Sequence, residues 1–230
     1  MSFVVADVAT ALWSPAVLTR LDEAHRADHI YLTRSDRCAY LAQYRGGDRD
    51  GICNQLVRNF KCAPSAARGD PRRAHYKRQA TVTLAAWLRA AVPRVRAERC
   101  TWVPIPPSKQ STDPDFDDRL TRTLQLAFSG YDVDLRALLY QASSTPRDHS
   151  RRLRLSERAL LEALRFDHSA LGTRPIRGVI ALFDDVLTSG KHYKCCERRI
   201  REALPEAPVV GVFLMRREPA RAARSLGRAW

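Results

Sequence analysis

The chain has 230 residues, of which 45% are hydrophobic, enough for one large α/β domain or two small ones. It carries 39 Lys and Arg against 25 Asp and Glu, a formal net charge of +14, which favours phosphates, nucleic acid or anionic lipid as partners without choosing among them. No apolar stretch approaches the ~20 residues that cross a bilayer. The N-terminus has no basic residue before its apolar part, so we expect no signal peptide and a cytoplasmic protein.

The cysteines give no sign of a metal or disulfide framework. No Cys-x-x-Cys pair occurs among the six, which are Cys38, Cys53, Cys62, Cys100, Cys195 and Cys196. Zinc fingers and disulfide scaffolds need such regular spacing, so free thiols are the simpler interpretation.

Hydrophobic periodicity predicts secondary structure both in residues 1–50, the extension, and in residues 51–230, the domain. In the extension, 8–27 has helical spacing, and 29–44 alternates about a polar turn, which predicts a β-hairpin. In the domain we predict helices at 54–61, 72–92, 115–128, 155–166 and 191–204. We predict strands at 100–106, 135–141, 178–183 and 209–217. Short apolar strands alternating with helices indicate a parallel sheet covered on both faces.

Two strand ends carry unusual chemistry, and ligands of parallel sheets bind at that edge. In FDDVLTSGKHY (183–193), Asp184 and Asp185 offer acceptor oxygens to paired hydroxyls or a hydrated cation. The turn that follows offers hydroxyls and backbone N–H groups, and it opens a helix whose positive end attracts anions. The stretch therefore predicts a site for a phosphorylated sugar. The alternative is a helix cap beside surface acids.

The stretch STPRDHSRRLR (144–154) is rich in arginine and lies between a predicted strand and a predicted helix. Its composition fits either a solvated loop or a mobile flap that binds anions.

The run VIALFDDVLTSGKH (179–192) resembles the phosphoribosyl-pyrophosphate (PRPP) signature of type I phosphoribosyltransferases (PRTases). That signature has four apolar residues, two acids and a Thr-Thr-Gly-like loop between a strand and a helix. The resemblance implies a PRTase-like, Rossmann-like fold in which Asp184 and Asp185 contact the ribose hydroxyls. It further implies that the 5′-phosphate is bound by Thr188, Ser189, Gly190, Lys191 and His192. The family usually has a small residue and Thr where this chain has Lys191 and His192.

Other segments resemble the same family. VPIPPSK (103–109) is similar to its pyrophosphate loop, which implies that Ser108 and Lys109 meet the diphosphate. The arginine-rich stretch takes the place of its flexible catalytic loop, and the residues implied to close over pyrophosphate are Arg147, Arg151 and Arg152. LVRNFK (56–61), then VPIPPSK with Arg119, then the PRPP signature resembles the ComF-like, competence-associated branch over roughly 53–217. The zinc finger that often precedes that branch has no match here. The resemblance then implies that residues 1–50 are an N-terminal extension or hood and that residues 51–230 are the PRTase-like α/β domain.

The resemblance implies a Mg²⁺-dependent phosphoribosyltransferase, which is a glycosyltransferase. A nucleobase nitrogen displaces pyrophosphate from PRPP, while Mg²⁺ bridges the substrate oxygens. The alternative is a catalytically inactive protein of the same fold that binds nucleotide, or that binds DNA or RNA through its basic surface in DNA processing or bacterial defence. The sequence names neither the acceptor base nor the oligomeric state.

Overall fold

A computed structural model of the chain describes residues 17–45, 51–144 and 156–219. The strands are β1 (Thr19–Arg20), β2 (Cys38–Arg45), β3 (Cys100–Pro104), β4 (Asp134–Leu135), β5 (Leu139–Gln141), β6 (Leu164–Phe166), β7 (Val179–Leu187) and β8 (Val209–Glu218). The helices are α1 (Glu23–Arg26), α2 (Ile52–Phe60), α3 (Pro64–Arg68), α4 (Pro71–Ala91), α5 (Arg94–Ala97), α6 (Arg119–Ala127), α7 (Glu157–Ala163) and α8 (Lys191–Ala203). A short 3-10 helix spans His168–Leu171.

A six-stranded sheet in the order β1-β2-β8-β7-β3-β4 forms the centre of the fold. Neighbouring strands from β2 to β4 are parallel, and β1 is antiparallel to β2 at the edge. β5 and β6 form a separate antiparallel ribbon. A parallel sheet of this kind must be covered on both faces, which is why β7 begins with a continuous apolar run. The predicted α/β class with a mostly parallel sheet is confirmed.

Two hydrophobic cores lie on opposite faces of the sheet, because successive side chains of a strand point to opposite sides. Along β7, Ala181 and Phe183 join the core beneath α2, α4 and α6. Ile180 and Leu182 join the core beneath α7 and α8. In the described part of the chain, no helix combines the length and the apolar character that crossing a membrane requires.

The predicted β-hairpin at 29–44 is wrong. Only β2 is a strand there, and it pairs in parallel with β8 and in antiparallel fashion with β1. The carboxylate of Asp36 instead accepts hydrogen bonds from the N–H and the hydroxyl of Thr33, and such local bonds compete with strand pairing. β2 lies before residue 50 and β8 lies after it, so their pairing brings both sides of the predicted boundary into one sheet. Of the helix predicted at 8–27, residues 8–16 lie outside the described residues, and the rest forms β1 and α1.

Three further predicted elements differ from the structure. The strand predicted at 135–141 divides into β4 and β5, since the Arg136 guanidinium between them donates to the Asp134 carboxylate and to the carbonyls of Arg174 and Pro175. The helix predicted at 115–128 begins only at α6, because aspartates before it bond to nearby backbone N–H groups. The helix predicted at 155–166 ends with α7, and β6 follows. The remaining predicted helices and strands of the α/β domain are confirmed to within a few residues at their ends. The largest difference is at β7, which continues to Leu187 although the strand was predicted to end at residue 183.

Candidate functional site

A cleft of about 1020 Å³ lies where β3 and β7 end. The two strands are parallel neighbours, so their carboxyl ends meet at one edge of the sheet. The cleft is lined by all the predicted site residues that the structure describes: Ser108, Lys109, Asp184, Asp185, Thr188, Ser189, Gly190, Lys191 and His192. The predicted loop residues Arg147, Arg151 and Arg152 lie outside the described residues. The ligand that each residue meets stays a prediction.

The loop between β7 and α8 depends on Gly190. This residue is the N-cap of α8 and has φ of +82°, in the left-handed region that glycine adopts without strain. A Cβ built there would lie 2.8 Å from side-chain carbons of Leu32. Both the backbone angle and the close packing therefore require glycine, and this lets the chain turn directly into the N-terminus of α8.

The two adjacent acids have different surroundings. Asp185 is buried, and its carboxylate accepts from Lys61 Nζ at 2.9 Å and from Arg119 Nη2 at 2.6 Å, on the side of α2 and α6. Asp184 is half-buried, and one of its oxygens accepts the N–H of Asp185 at 2.7 Å. Because neighbouring side chains of a strand point to opposite faces, only Asp185 reaches these cations.

The different surroundings of Asp184 and Asp185 shift the pKa values of their carboxyl groups in opposite directions. Burial raises the pKa of the Asp184 carboxyl to about 7, and the negative charge of Asp185 adds to this. Burial also acts on Asp185, but the charges of Lys61 and Arg119 outweigh it and hold its pKa well below the usual range. Asp185 is thus a permanent anion within a salt-bridge cluster. Asp184 gains most from a ligand that donates hydrogen bonds or positive charge to it.

A second buried acid extends this cluster. Asp117 is 4% exposed and accepts from Lys77 Nζ at 2.7 Å and Arg119 Nη1 at 3.0 Å. Arg119 therefore bridges Asp117 and Asp185, and a chain of alternating charges runs from Lys61 to Lys77. Sequence reasoning placed Lys61 and Arg119 in segments that resemble the family, without a role. Nothing in the sequence pattern singled out Asp117 or Lys77.

The loop after β3 is hydrogen-bonded to Ser144, three residues after β5 ends. Lys109 Nζ lies 3.4 Å from Asp113 Oδ2, and the Ser144 hydroxyl donates to the same carboxylate at 2.6 Å. The N–H of Gln110 donates to Ser144 Oγ at 3.3 Å. This hydrogen bond to Ser144 also lowers the pKa of Asp113. The predicted pyrophosphate loop is therefore joined to Ser144, the first residue of the arginine-rich stretch.

None of the six cysteines, all of which lie among the described residues, forms a disulfide. Within residues 17–45, 51–144 and 156–219, no group of three or more His, Cys, Asp or Glu side chains is placed to hold a metal ion. No protein-family model, curated protein or solved structure matches the chain.

Proposed function

We propose that this chain is a type I PRTase-like protein that binds PRPP, or a related phosphorylated ribose or nucleotide, and transfers the phosphoribosyl group to a nitrogenous base. The observation that carries the proposal is the convergence of three ligand-binding features in one cleft. An acid pair, a glycine-capped loop at a helix N-terminus, and a Ser-Lys strand end all line it. Acceptors for hydroxyls lie beside donors for phosphate, which is the chemistry that a phosphorylated sugar requires.

Each part of the substrate has a partner in this arrangement. The 5′-phosphate binds at the N-terminus of the 13-residue helix α8, where backbone N–H groups and the helix dipole favour an anion. The ribose hydroxyls donate to Asp184, which gains hydrogen bonds that offset its burial. The diphosphate lies against Ser108 and Lys109, where the ammonium group of Lys109 offsets its charge.

Transfer on this site is a substitution at the anomeric carbon. A base nitrogen forms the new C–N bond, the C–O bond to the diphosphate breaks, and its electron pair leaves with the pyrophosphate. The protein contributes by positioning the two reactants and stabilising the charge that develops on the leaving group. We assign that second task to Lys109, whose ammonium group lines the cleft.

The expected Mg²⁺ stays part of the proposal. The cleft offers hard oxygen donors in Asp184 and Ser108, which suit this ion. Mg²⁺ keeps several waters and substrate phosphate oxygens as ligands, so these residues fit an ion that the diphosphate carries into the site. When bound, it neutralises charge on the leaving diphosphate.

The proposed transfer is tested by incubating the protein with PRPP, Mg²⁺ and a panel of nucleobases while pyrophosphate release is measured. We expect release that depends on the base, and a loss of about 100-fold in rate in Lys109→Ala, since the variant lacks a group that stabilises the leaving diphosphate. Arg96→Ala is the matched control, because Arg96 is an exposed cation on α5 outside the cleft. Release at background for every base, with PRPP still bound, would leave a binding protein without transfer activity.

A second candidate function is favoured by the distribution of charge. Residues 51–99, which form α2–α5, contain eleven Lys and Arg against two acids, Asp70 and Glu98. On the first turns of α4, Arg72, Arg73 and Arg78 are exposed, and Tyr76 between them is 51% exposed. Cations beside an exposed ring fit the phosphates and bases of single-stranded nucleic acid.

The nucleic-acid candidate predicts single-strand binding that weakens steeply with salt, because bound cations release counterions from the phosphates. Replacing Arg72, Arg73 and Arg78 together by Ala should reduce the slope of log K against log salt by about two to three. The affinity for PRPP should not change, since these residues do not line the cleft. Equal nucleic-acid binding by this variant and the parent would remove the candidate.

A further inference from the structure

The loop that we assign to the 5′-phosphate is held from behind by residues 28–32, the brace. The N–H of Tyr31 in the brace donates to the carbonyl of Ser189 at 3.0 Å. Nδ1 of His29 hydrogen-bonds to the carbonyl of Thr188. Leu32 fills the space beside Gly190. Two successive carbonyls of the loop are therefore fixed by one segment.

Arg216 of β8 anchors the brace. Its side chain is 1% exposed, and its guanidinium donates to the Asp28 carboxylate, to His29 Nε2 at 3.2 Å and to Gln43 Oε1 at 2.8 Å. An arginine nitrogen can only donate, so Nε2 of His29 must accept and carries no proton. Its Nδ1 then bears the hydrogen and donates it to the Thr188 carbonyl. The two contacts together select one neutral tautomer of His29.

Fixing a carbonyl also orients the next N–H. In a planar trans peptide the C=O and the N–H point in opposite directions. Since the Thr188 and Ser189 carbonyls both face the brace, the N–H groups of Ser189 and Gly190 point away from it. Successive backbone N–H groups with a common direction form an anion-binding concavity.

We propose that His29 is a positioning residue for phosphate binding, which in its neutral form holds the Thr188 carbonyl so that the N–H groups of the loop face the phosphate of the ligand. This inference rests on the proposed function for the identity of the ligand. The geometry of the brace is independent of it. The position lies in the part of the chain where the sequence predicted a hairpin and gave no site residue.

The groups around His29 make this device sensitive to acid. It is faced by Arg216 from β8, Asp28 beside it, His25 from α1 and the Thr188 carbonyl from the loop. Burial lowers the pKa of His29, Arg216 adds to this, and the Thr188 bond and Asp28 oppose it. A proton on Nε2 would face the N–H of Arg216, so acid breaks that contact. The contact between Arg216 and His29 and its contribution to stability are therefore lost as pH falls below the ordinary value of 6.5 and through the lowered value of the folded protein, which loosens the hold of His29 on the loop.

The inference is tested with His29→Ala and His29→Asn, because the amide nitrogen of Asn lies close to the position of Nδ1 and keeps a donor. In the ligand-free protein at about pH 7.5, we expect hydrogen exchange of the Ser189 and Gly190 amides to speed up in His29→Ala. Calorimetry with ribose 5-phosphate should show a loss of about fivefold to tenfold in affinity. His29→Asn should recover most of both effects. Pyrophosphate, which we assign to Ser108 and Lys109, should bind all three proteins equally.

A pH series separates positioning from general packing. The affinity of the parent for ribose 5-phosphate should fall more steeply than that of His29→Asn between about pH 7.5 and pH 5.5, since only the parent has an imidazole to protonate. Unchanged exchange at Ser189 and Gly190 in His29→Ala, or identical pH profiles, would overturn the inference. A parent that binds no ribose 5-phosphate would overturn the proposed function instead, and the exchange experiment would still decide the role of the brace. If His29→Ala does not fold, His29→Asn and the pH series decide the question.

Discussion

Asp184→Asn is expected to weaken PRPP binding by at least about tenfold while making the folded protein more stable above neutral pH. The loss of affinity follows from replacing a charged acceptor of the ribose hydroxyls by a neutral amide, which also presents N–H groups to them. The gain in stability follows from removing a carboxylate that burial and Asp185 make costly to ionise. A residue kept for folding alone would not show both effects, so their combination identifies a ligand-binding role.

The sign of the pH dependence can be worked out from the pKa of Asp184. It is about 7 in the folded protein and 3.8 as its ordinary value, so between these values the folded state holds a proton that the unfolded state has released. The free energy of unfolding therefore falls as pH rises through this range. Asn does not titrate, so the variant should gain over the parent by up to about 3 kcal/mol between about pH 5 and about pH 8. Urea unfolding at about pH 5 and about pH 8 measures this difference.

The matched control is Asp132→Asn, whose side chain is 76% exposed and pairs with Arg177 outside the cleft. Asp132→Asn should leave both the PRPP affinity and the pH dependence of the free energy of unfolding as they are in the parent. Replacing both Asp184 and Asp185 by Asn should abolish PRPP binding altogether in calorimetry. A double variant that folds and binds PRPP as well as the parent would show that the ligand lies elsewhere.

The elements predicted best from the sequence are those in which the buried apolar residues follow a regular spacing or form one continuous run. α4 and α8 each bury one face, and β7 and β8 are apolar runs between turns, so local spacing was enough to find them. The segment 29–44 also alternates between apolar and polar residues, but there the turn at Asp36 and the contacts with the loop after β7 decide the structure. These contacts join residues more than 150 positions apart, and no local pattern reports them.

The sequence predicted which chemical groups line the candidate site, but it did not predict that the two adjacent acids differ in their partners and pKa values. The run at 179–192 places two acids and a phosphate-type loop at a strand end, and the structure brings them to one cleft with Ser108 and Lys109. The sequence treats Asp184 and Asp185 alike. Their difference comes from Lys61 and Arg119, which reach Asp185 only after α2 and α6 have packed on one face of the sheet.

Lys77→Met is expected to lower the free energy of unfolding by about 3 kcal/mol. The ammonium group of Lys77 donates to Asp117 Oδ2 at 2.7 Å and to the carbonyls of Phe60 and Cys62 at 3.0 and 2.8 Å. Methionine fills nearly the same volume without a donor. It therefore leaves two carbonyls and one carboxylate oxygen without that partner in the interior. Burial lowers the pKa of Lys77, and the contact with Asp117 opposes this, so the charge is retained by its partners.

Arg78→Met is the matched control for this prediction, because Arg78 is the next residue of α4 and is exposed. It should change the free energy of unfolding by no more than about 0.5 kcal/mol in urea. Lys77→Met should also reduce PRPP affinity, since Asp117 then draws more strongly on Arg119, which at present also holds Asp185 through Nη2 at 2.6 Å. Equal stability of the two variants would mean that the buried charges contribute little to folding. A large loss of stability without a change in PRPP affinity would mean that Lys77 stabilises the fold but does not influence the acid pair through Asp117 and Arg119.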